Sequence, residues 1–189
     1  MMAEQVCKWI GGGKMTTQRI IEIAKECGFD EVNPLDPKTF VQSQMVRDTC
    51  ATNKCGGYGA NWGCPPHSTA EEDNAKLQSY EHGLILQCIG RSAKRIDRKM
   101  YFETGKRLAD GISRLKDIMT EEYPDCLALG AGGCRFCEKC ARPEPCRFPE
   151  KRIEALEGYG IFITQLCRDN NVLYYYGEGT IAYNAAILW

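Results

Sequence analysis

The sequence lacks the charge excess, the long apolar runs and the leader segment that would direct it to nucleic acid or to a membrane. Its 24 Lys and Arg residues nearly balance 25 Asp and Glu residues, which leaves a formal charge of −1. That balance argues against a nucleic-acid-coating protein and a polybasic membrane-surface protein. No run approaches the roughly 18 apolar residues of a membrane span, and residues 1–8 carry an acid instead of a signal peptide's apolar stretch. We therefore expect a soluble, cytoplasmic protein without nucleic-acid or membrane partners.

Several catalytic signatures are also missing. The sequence has no Rossmann glycine fingerprint, no paired-carboxylate signal and no GxSxG elbow. Residues 11–14 end like a phosphate-binding loop, but the upstream glycine is absent at the required spacing and Met15 replaces Ser or Thr. We therefore interpret residues 1–15 as a flexible arm of a single domain spanning 1–189, and no residue is assigned a catalytic role.

Cysteine, in contrast, is frequent, with 12 in 189 residues. A chain of this length buries enough core to fold without disulfides. In a reducing cytosol, clustered cysteines more often bind metal or take part in redox chemistry. Seven of the 12 fall in two loops, at residues 50–67 and 132–149, which are rich in glycine or proline. These loops are the predicted metal-binding sites.

The second cysteine loop gives the stronger prediction. Cys134, Cys137 and Cys140 are separated by two residues each, and Cys146 follows beside prolines. Three thiolates at this spacing can wrap one corner of a cubane, each binding a different iron, as in the C-x2-C-x2-C run of bacterial ferredoxins. The last gap is longer here, and Arg147 intervenes before the proline. We predict that these four cysteines hold one 4Fe-4S cluster, with zinc, unligated thiols or disulfides as alternatives.

The first cysteine loop has the less specific pattern C-x4-C-x8-C, formed by Cys50, Cys55 and Cys64. Its glycines permit backbone amides to approach a sulfide-rich anion. Tyr58 and Trp62 are placed either to shield a cluster from solvent or to close the loop by aromatic packing. We predict a second 4Fe-4S cluster here, with zinc or no metal as alternatives.

A fourth ligand for the first loop must come from elsewhere or be absent. Candidates are Cys7, Cys88, Cys126, Cys146 and His67. Cysteines on predicted strands are usually small buried hydrophobes, and a loop histidine after two prolines is usually a surface residue. We expect a long-range cysteine as fourth ligand, ahead of the histidine; without one, an open iron remains.

The rest of the chain predicts an α/β fold with a small mixed sheet and a long crossover helix. Helices are predicted over residues 16–27, 38–47, 69–80, 93–120, 150–157 and 161–170. Strands are predicted over residues 83–90, 126–130, 172–176 and 180–189. Strand, long helix and strand make a crossover unit, in which adjacent parallel strands are natural but not obligatory. Both cysteine loops should lie outside the sheet, free to fold around metal.

The combined motifs resemble DUF2284, a family of predicted metal-binding proteins. The residues that carry the resemblance are Cys50, Cys55, Tyr58-Gly59, Asn61-Trp62, Cys64-Pro65-Pro66, Gly133-Cys134, Cys137, Cys140, Pro145-Cys146-Arg147 and the segment from Glu154 to Gly160. They span roughly residues 40–180. The resemblance implies metal binding through these seven cysteines and leaves the reaction open.

Charge close to the loops bears on partners. Residues 91–107 hold seven basic residues against two acidic ones, and the second loop is also basic. The long helix therefore offers either a solvated face or a docking site for an acidic electron-transfer partner. Positive charge on the second loop would offset the charge of a thiolate-ligated cluster and raise its potential.

Three functions follow from these features. The first is a cytosolic iron–sulfur protein with one or two 4Fe-4S clusters that transfers electrons or serves as redox accessory to a partner enzyme. The second is an enzyme in which a three-cysteine cluster exposes one iron as a Lewis acid toward a small substrate. The third is a zinc-stabilised binding module without catalysis.

Overall fold

A computed structural model describes residues 15–94 and 96–189. The helices in this part of the chain are α1 (Thr17–Glu26), α2 (Gln44–Ala51), α3 (Ala70–Gln78), α4 (Arg98–Thr120) and α5 (Ile163–Asp169). The strands are β1 (Glu31–Leu35), β2 (Gly83–Arg91), β3 (Leu127–Gly130), β4 (Glu154–Ala155) and β5 (Thr180–Leu188). Short 3-10 turns at Pro37–Thr39, Pro149–Lys151 and Glu157–Tyr159 complete the elements. The predicted arm and Cys7 lie outside the described residues, apart from Met15.

The five strands form one mixed sheet in the order β1-β2-β5-β3-β4. β5 pairs antiparallel with both β2 and β3, so those two strands run parallel to each other on either side of it. α4 connects them, which confirms the predicted mixed α/β fold with a long crossover helix. The two strands of the crossover are not adjacent, because the C-terminal strand enters between them.

The central strands are buried on both faces, which explains their continuous apolar runs. Leu84 and Leu86 of β2 pack with Ile112 and Leu115 of α4 and with α1 on one face. Ile85, between them in sequence, packs on the other face with Leu166 of α5 and with residues that follow β4. The sheet therefore lies between two layers, and the helical stripe predicted for α4 faces the core.

Two predicted helices need correction. Residues 38–47 do not form one helix: Asp36 caps a 3-10 turn with Lys38 N donating to its Oδ1 at 2.9 Å, and α2 begins only at Gln44. α4 begins at Arg98 instead of residue 93, because Asp97 caps it by accepting from Met100 N at 3.0 Å. Ile96 precedes the helix and is 69% exposed, so it is not part of the apolar stripe.

Two further predictions are wrong, and one strand escapes sequence analysis. Residues 150–157 form a 3-10 turn and β4 instead of a helix, since Glu154 and Ala155 pair in parallel with β3. Residues 172–176 are irregular and not a strand. β1 contains Pro34, which is tolerated because β1 is an edge strand.

Both cysteine loops adjoin β4, where Ala155 N donates to Gly63 O of the first loop at 2.8 Å. The second loop is the connection from β3 to β4, and the first loop leaves the last turn of α2 and leads to α3. Both lie outside the sheet, as predicted. Within the described part of the chain, no helix is long and apolar enough to cross a membrane.

Candidate metal centre

The first loop folds back on itself through asparagine turns. Asn53 has a left-handed backbone, with φ of 52°, and its side-chain oxygen accepts from Tyr58 N at 3.0 Å. This turn carries the chain from Cys50, in the last turn of α2, to Cys55. Asn61 forms a second such turn, in which its side-chain oxygen accepts from Gly63 N at 2.9 Å. Hydrogen bonds from the backbone of the loop to its own asparagine side chains thus fix its conformation.

Two thiols of this loop share the space beside Gly57. A Cβ built on Gly57 would lie 3.2 Å from Cys64 Sγ and 3.5 Å from Cys55 Sγ. The distance between the two sulfurs is therefore no greater than the sum of these two distances. Any side chain at position 57 would occupy the space between them. Cys50 belongs to the same group, because its thiol interacts electrostatically with Cys55 and Cys64.

The second loop brings its four thiols to one small cavity. Cys134, Cys137, Cys140 and Cys146 all line it, together with Trp62 and Phe148. Trp62 thus covers the thiols of the second loop, although it belongs to the first loop in sequence. Its indole N–H donates to Glu144 O at 2.8 Å, which fixes the ring over that loop.

The two loops are in direct contact. A Cβ on Gly63 would lie 2.4 Å from Cys134 N, so only glycine permits the first loop to approach this closely. A Cβ on Gly133 would lie 2.6 Å from Cys64 Sγ. Arg142 crosses between the loops and donates to the carbonyls of Asn61 and Cys64, each at 2.9 Å. The two thiol groups are therefore neighbours within one site.

Other cysteines of the described chain serve the core. Cys27, Cys88 and Cys126 pack on the α1 and α4 side of the sheet, and Cys167 packs on the opposite side. Burial raises the pKa of Cys88 to about 11, as expected for a thiol that stays neutral. The burial of these four cysteines agrees with their positions in the apolar patterns of the sequence.

The family comparison adds an independent finding. The family described as predicted metal-binding protein, DUF2284, matches residues 33–189. The chain belongs to this family. The match covers both cysteine loops and all of the sheet except the first two residues of β1. No curated protein and no solved structure matches the chain.

A buried carboxylate lies beside the site of this DUF2284 protein. Glu154 in β4 has a side chain only 5% exposed and accepts from Arg152 at 2.8 Å, Lys76 at 3.2 Å and the Tyr159 hydroxyl at 2.7 Å. His67 Nε2 lies 3.6 Å from the same carboxylate, and its Nδ1 lies 3.0 Å from Cys64 O. His67 therefore connects the first loop to β4.

Burial and hydrogen bonding act in opposite directions on these groups. Burial favours the neutral form of Glu154, but the approach of His67 and the charges of Lys76 and Arg152 hold its pKa well below the usual range. The nearby Glu154 carboxylate raises the pKa of His67 above its ordinary value. Sequence analysis assigned Glu154 no role at the site, because its partners are far away along the chain.

The ligand cysteines differ in their surroundings. Burial raises the pKa of Cys64, despite a hydrogen bond from Asn61 that lowers it. Burial also raises the pKa of Cys50, and the Glu157 carboxylate adds to this effect. At Cys140, burial is outweighed by the N–H groups of Arg142, Trp62 and Ala141, which hold the pKa of the thiol below its ordinary value.

The donor set of this DUF2284 protein consists of thiols, the ligand class shared by iron–sulfur clusters and zinc. Gly57 keeps a space open beside two sulfurs, and N–H groups point at a third, as thiolate ligation of a metal group requires. In residues 15–94 and 96–189, no three His, Cys, Asp or Glu side chains are arranged around the position of a single ion. All 11 described cysteines are free thiols.

Proposed function

We propose that this protein is a cytosolic iron–sulfur protein that binds one or two 4Fe-4S clusters and transfers electrons, or serves as redox accessory to a partner enzyme. The observation that carries the proposal is the cavity lined by all four cysteines of the second loop. Cys134, Cys137, Cys140 and Cys146 would hold the cluster there. The ligands of a cubane sit on different irons and so need not converge on one point.

Surroundings of the second loop suit a bound anion. The N–H groups directed at Cys140 stabilise negative charge on sulfur and would raise the reduction potential of a cluster. Trp62 and Phe148 restrict access of water to the same cavity. When bound, a 4Fe-4S cluster supplies reversible one-electron exchange.

Contact between the loops supports a two-centre arrangement. Cys50, Cys55 and Cys64 would hold the second cluster, and Cys64 Sγ lies against Gly133, the residue before Cys134. Electrons could then pass between neighbouring groups within one site. A reducing cytosol would keep the thiols available as ligands.

Metal analysis tests this proposal directly. Protein purified without oxygen should be brown and contain iron and acid-labile sulfide in equal amounts, about four of each per cluster. Dithionite reduction should produce an electron paramagnetic resonance signal. Colourless protein that contains zinc and no sulfide would refute the iron–sulfur proposal and favour the zinc-stabilised module.

A surface next to the second loop is suited to a redox partner. An open depression of 570 Å³ is lined by Cys137 and Cys140 and flanked by Phe136 and Phe148. The two rings meet edge to face at 5.3 Å and are 46% and 42% exposed. The same two cysteines line the four-thiol cavity, so little material separates these ligands from the surface.

Charge on this surface is balanced, and three basic residues of the helix predicted to dock an acidic partner form ion pairs. Glu138 and Glu144 offset Lys139 and Arg147 around the depression. On α4, Lys99, Lys106 and Arg107 pair with Glu103, Asp110 and Asp30. The partner we propose is therefore an electron-transfer protein with an apolar surface around its own cofactor, bound at the aromatic pair.

Phe148→Ser tests this surface. Loss of an exposed aromatic anchor should slow electron exchange with a small ferredoxin, used as the probe protein, by about tenfold. Reduction by dithionite should not become slower, because a small reductant needs no docking surface. Tyr175→Ser, at a ring that is 66% exposed elsewhere, is the control. Equal ferredoxin rates in both variants, with metal content intact, would rule out the aromatic pair as the docking site.

A further inference from the structure

The first loop supplies only three thiols, so the fourth ligand of any cluster there must be found elsewhere. Among the expected residues of the described chain, only His67 contacts these cysteines, through the backbone oxygen of Cys64. Cys88 and Cys126 are in the core, and Cys146 lines the cavity of the second loop. His67 is engaged by Glu154 and Cys64 O. Cys7 lies outside the described residues.

A carboxylate lies beside this group instead. Glu157 begins the 3-10 turn after β4, and its carbonyl accepts a hydrogen bond from the Cys50 thiol at 3.6 Å. Its side-chain Oε2 lies 3.5 Å from Gly132 N. Gly133, the next residue, lies against Cys64 Sγ. Residue 157 thus touches Cys50 through its backbone, and its carboxylate reaches the segment that covers Cys64.

These contacts place the Glu157 carboxylate near the thiols of the first loop. Three thiolates and a carboxylate at one place would repel one another strongly. A bound cationic metal centre would turn this repulsion into ligation.

Glu157 also lacks the partners that would hold it in another role. In residues 15–94 and 96–189, no Lys, Arg or His forms an ion pair with it, and its side chain accepts one long hydrogen bond. Glu154, three residues earlier, has four polar partners. The half-buried Glu157 carboxylate is therefore available to a metal.

We propose that the Glu157 carboxylate is the fourth protein ligand of the cluster held by Cys50, Cys55 and Cys64. This inference rests on the proposed function, and it replaces the expected long-range cysteine. An oxygen ligand distinguishes one iron of this cluster from the other three. Since carboxylate is harder than thiolate, that iron exchanges its ligand more readily and its electronic environment differs.

Glu157→Gln, Glu157→Asp and Glu157→Cys test the assignment, with Glu178→Gln as the control at an exposed glutamate outside both cysteine loops. The measurements are iron and sulfide content and the electron paramagnetic resonance spectrum of reduced protein, with and without cyanide as probe ligand. We expect Glu157→Gln to retain sulfide but to bind cyanide at lower concentration than wild type, by about tenfold or more. Glu157→Asp should restore part of the resistance, and Glu157→Cys should give a cyanide-insensitive spectrum.

The outcomes separate this inference from the proposed function. If wild type and Glu157→Gln hold the same clusters and respond identically to cyanide, Glu157 is not a ligand, while the iron–sulfur function stands. A wild-type spectrum that already shifts at the lowest cyanide concentration would instead show an open iron and favour an enzyme. If wild type contains neither iron nor sulfide, both proposals fall together.

Discussion

Cys137→Ala is expected to remove one cluster from the protein and to open residues 132–149 to trypsin. Iron content should fall by about four atoms per chain, the content of one 4Fe-4S cluster. The loop has little apolar surface of its own, and its two aromatic rings, Phe136 and Phe148, are both exposed. Metal ligation must therefore supply much of its folding energy.

Trypsin reports this loosening at defined positions. The loop offers cleavage after Arg135, Lys139 and Arg147, whereas Arg142 is followed by proline and resists cleavage. We expect these sites to be cut rapidly in Cys137→Ala and slowly in wild type, as followed by mass spectrometry. Sites outside the loop should be cut at unchanged rates.

Cys27→Ala is the matched control for this variant. Cys27 is 4% exposed and packs in the core with α1 and α4, remote from both loops in the chain. Its loss should cost about 1 kcal/mol in stability and leave iron, sulfide and trypsin resistance of the loop unchanged. Equal metal loss in both variants would contradict the assignment of Cys137 as a ligand.

The sequence predicts those parts of the fold that depend on local patterns. The apolar run of β2 and the stripe of α4 indicate their elements because both are set by burial along one segment. β4 could not be predicted, since two residues carry no periodicity. The local sequence pattern places Glu154 in a helix, on the face toward solvent. Its burial depends on Lys76 and His67, which lie on a distant segment of the chain.

The candidate site, like the fold, could be predicted from the sequence only where local patterns determine it. Cysteine spacing alone predicts which residues are donors, because ligand types and gaps are written in adjacent residues. Which residues surround each thiol group is decided by tertiary contacts. Trp62 lies on the first loop but covers the thiols of the second, and Glu157 belongs to neither cysteine motif. Three-dimensional packing was needed to place both beside the thiols.

Glu154→Gln is expected to destabilise the protein more than any other single change at a charged residue discussed above. The substitution keeps the size of the side chain but leaves Arg152, Lys76 and His67 without their shared anion. Breaking a buried ion pair costs about 3–5 kcal/mol. Because the Lys76 side chain is 39% exposed and partly screened by water, we expect a loss near the lower limit, about 3 kcal/mol.

The pH dependence follows from the direction of the pKa shift. The folded-state pKa of Glu154 is depressed, so its stabilisation is complete above the unfolded value of about 4.3. That stabilisation is lost as the pH falls through the depressed folded value. Wild type should therefore lose stability progressively below about pH 5, and this part of the loss should be absent in Glu154→Gln.

Thermal unfolding without oxygen at pH 7 and at pH 4 measures both effects, with Glu150→Gln as the control at an exposed glutamate on the preceding turn. At pH 7, a loss of about 3 kcal/mol corresponds to a Tm decrease of roughly 6–12 °C in a chain of this size. The control should change stability by less than about 0.5 kcal/mol. Since Ala155 N donates to Gly63 O at 2.8 Å and His67 binds the first loop, a weakened β4 should also loosen that loop. If Glu154→Gln has the same Tm as wild type at pH 7 and keeps all its metal, the buried carboxylate does not join the sheet to the metal centre.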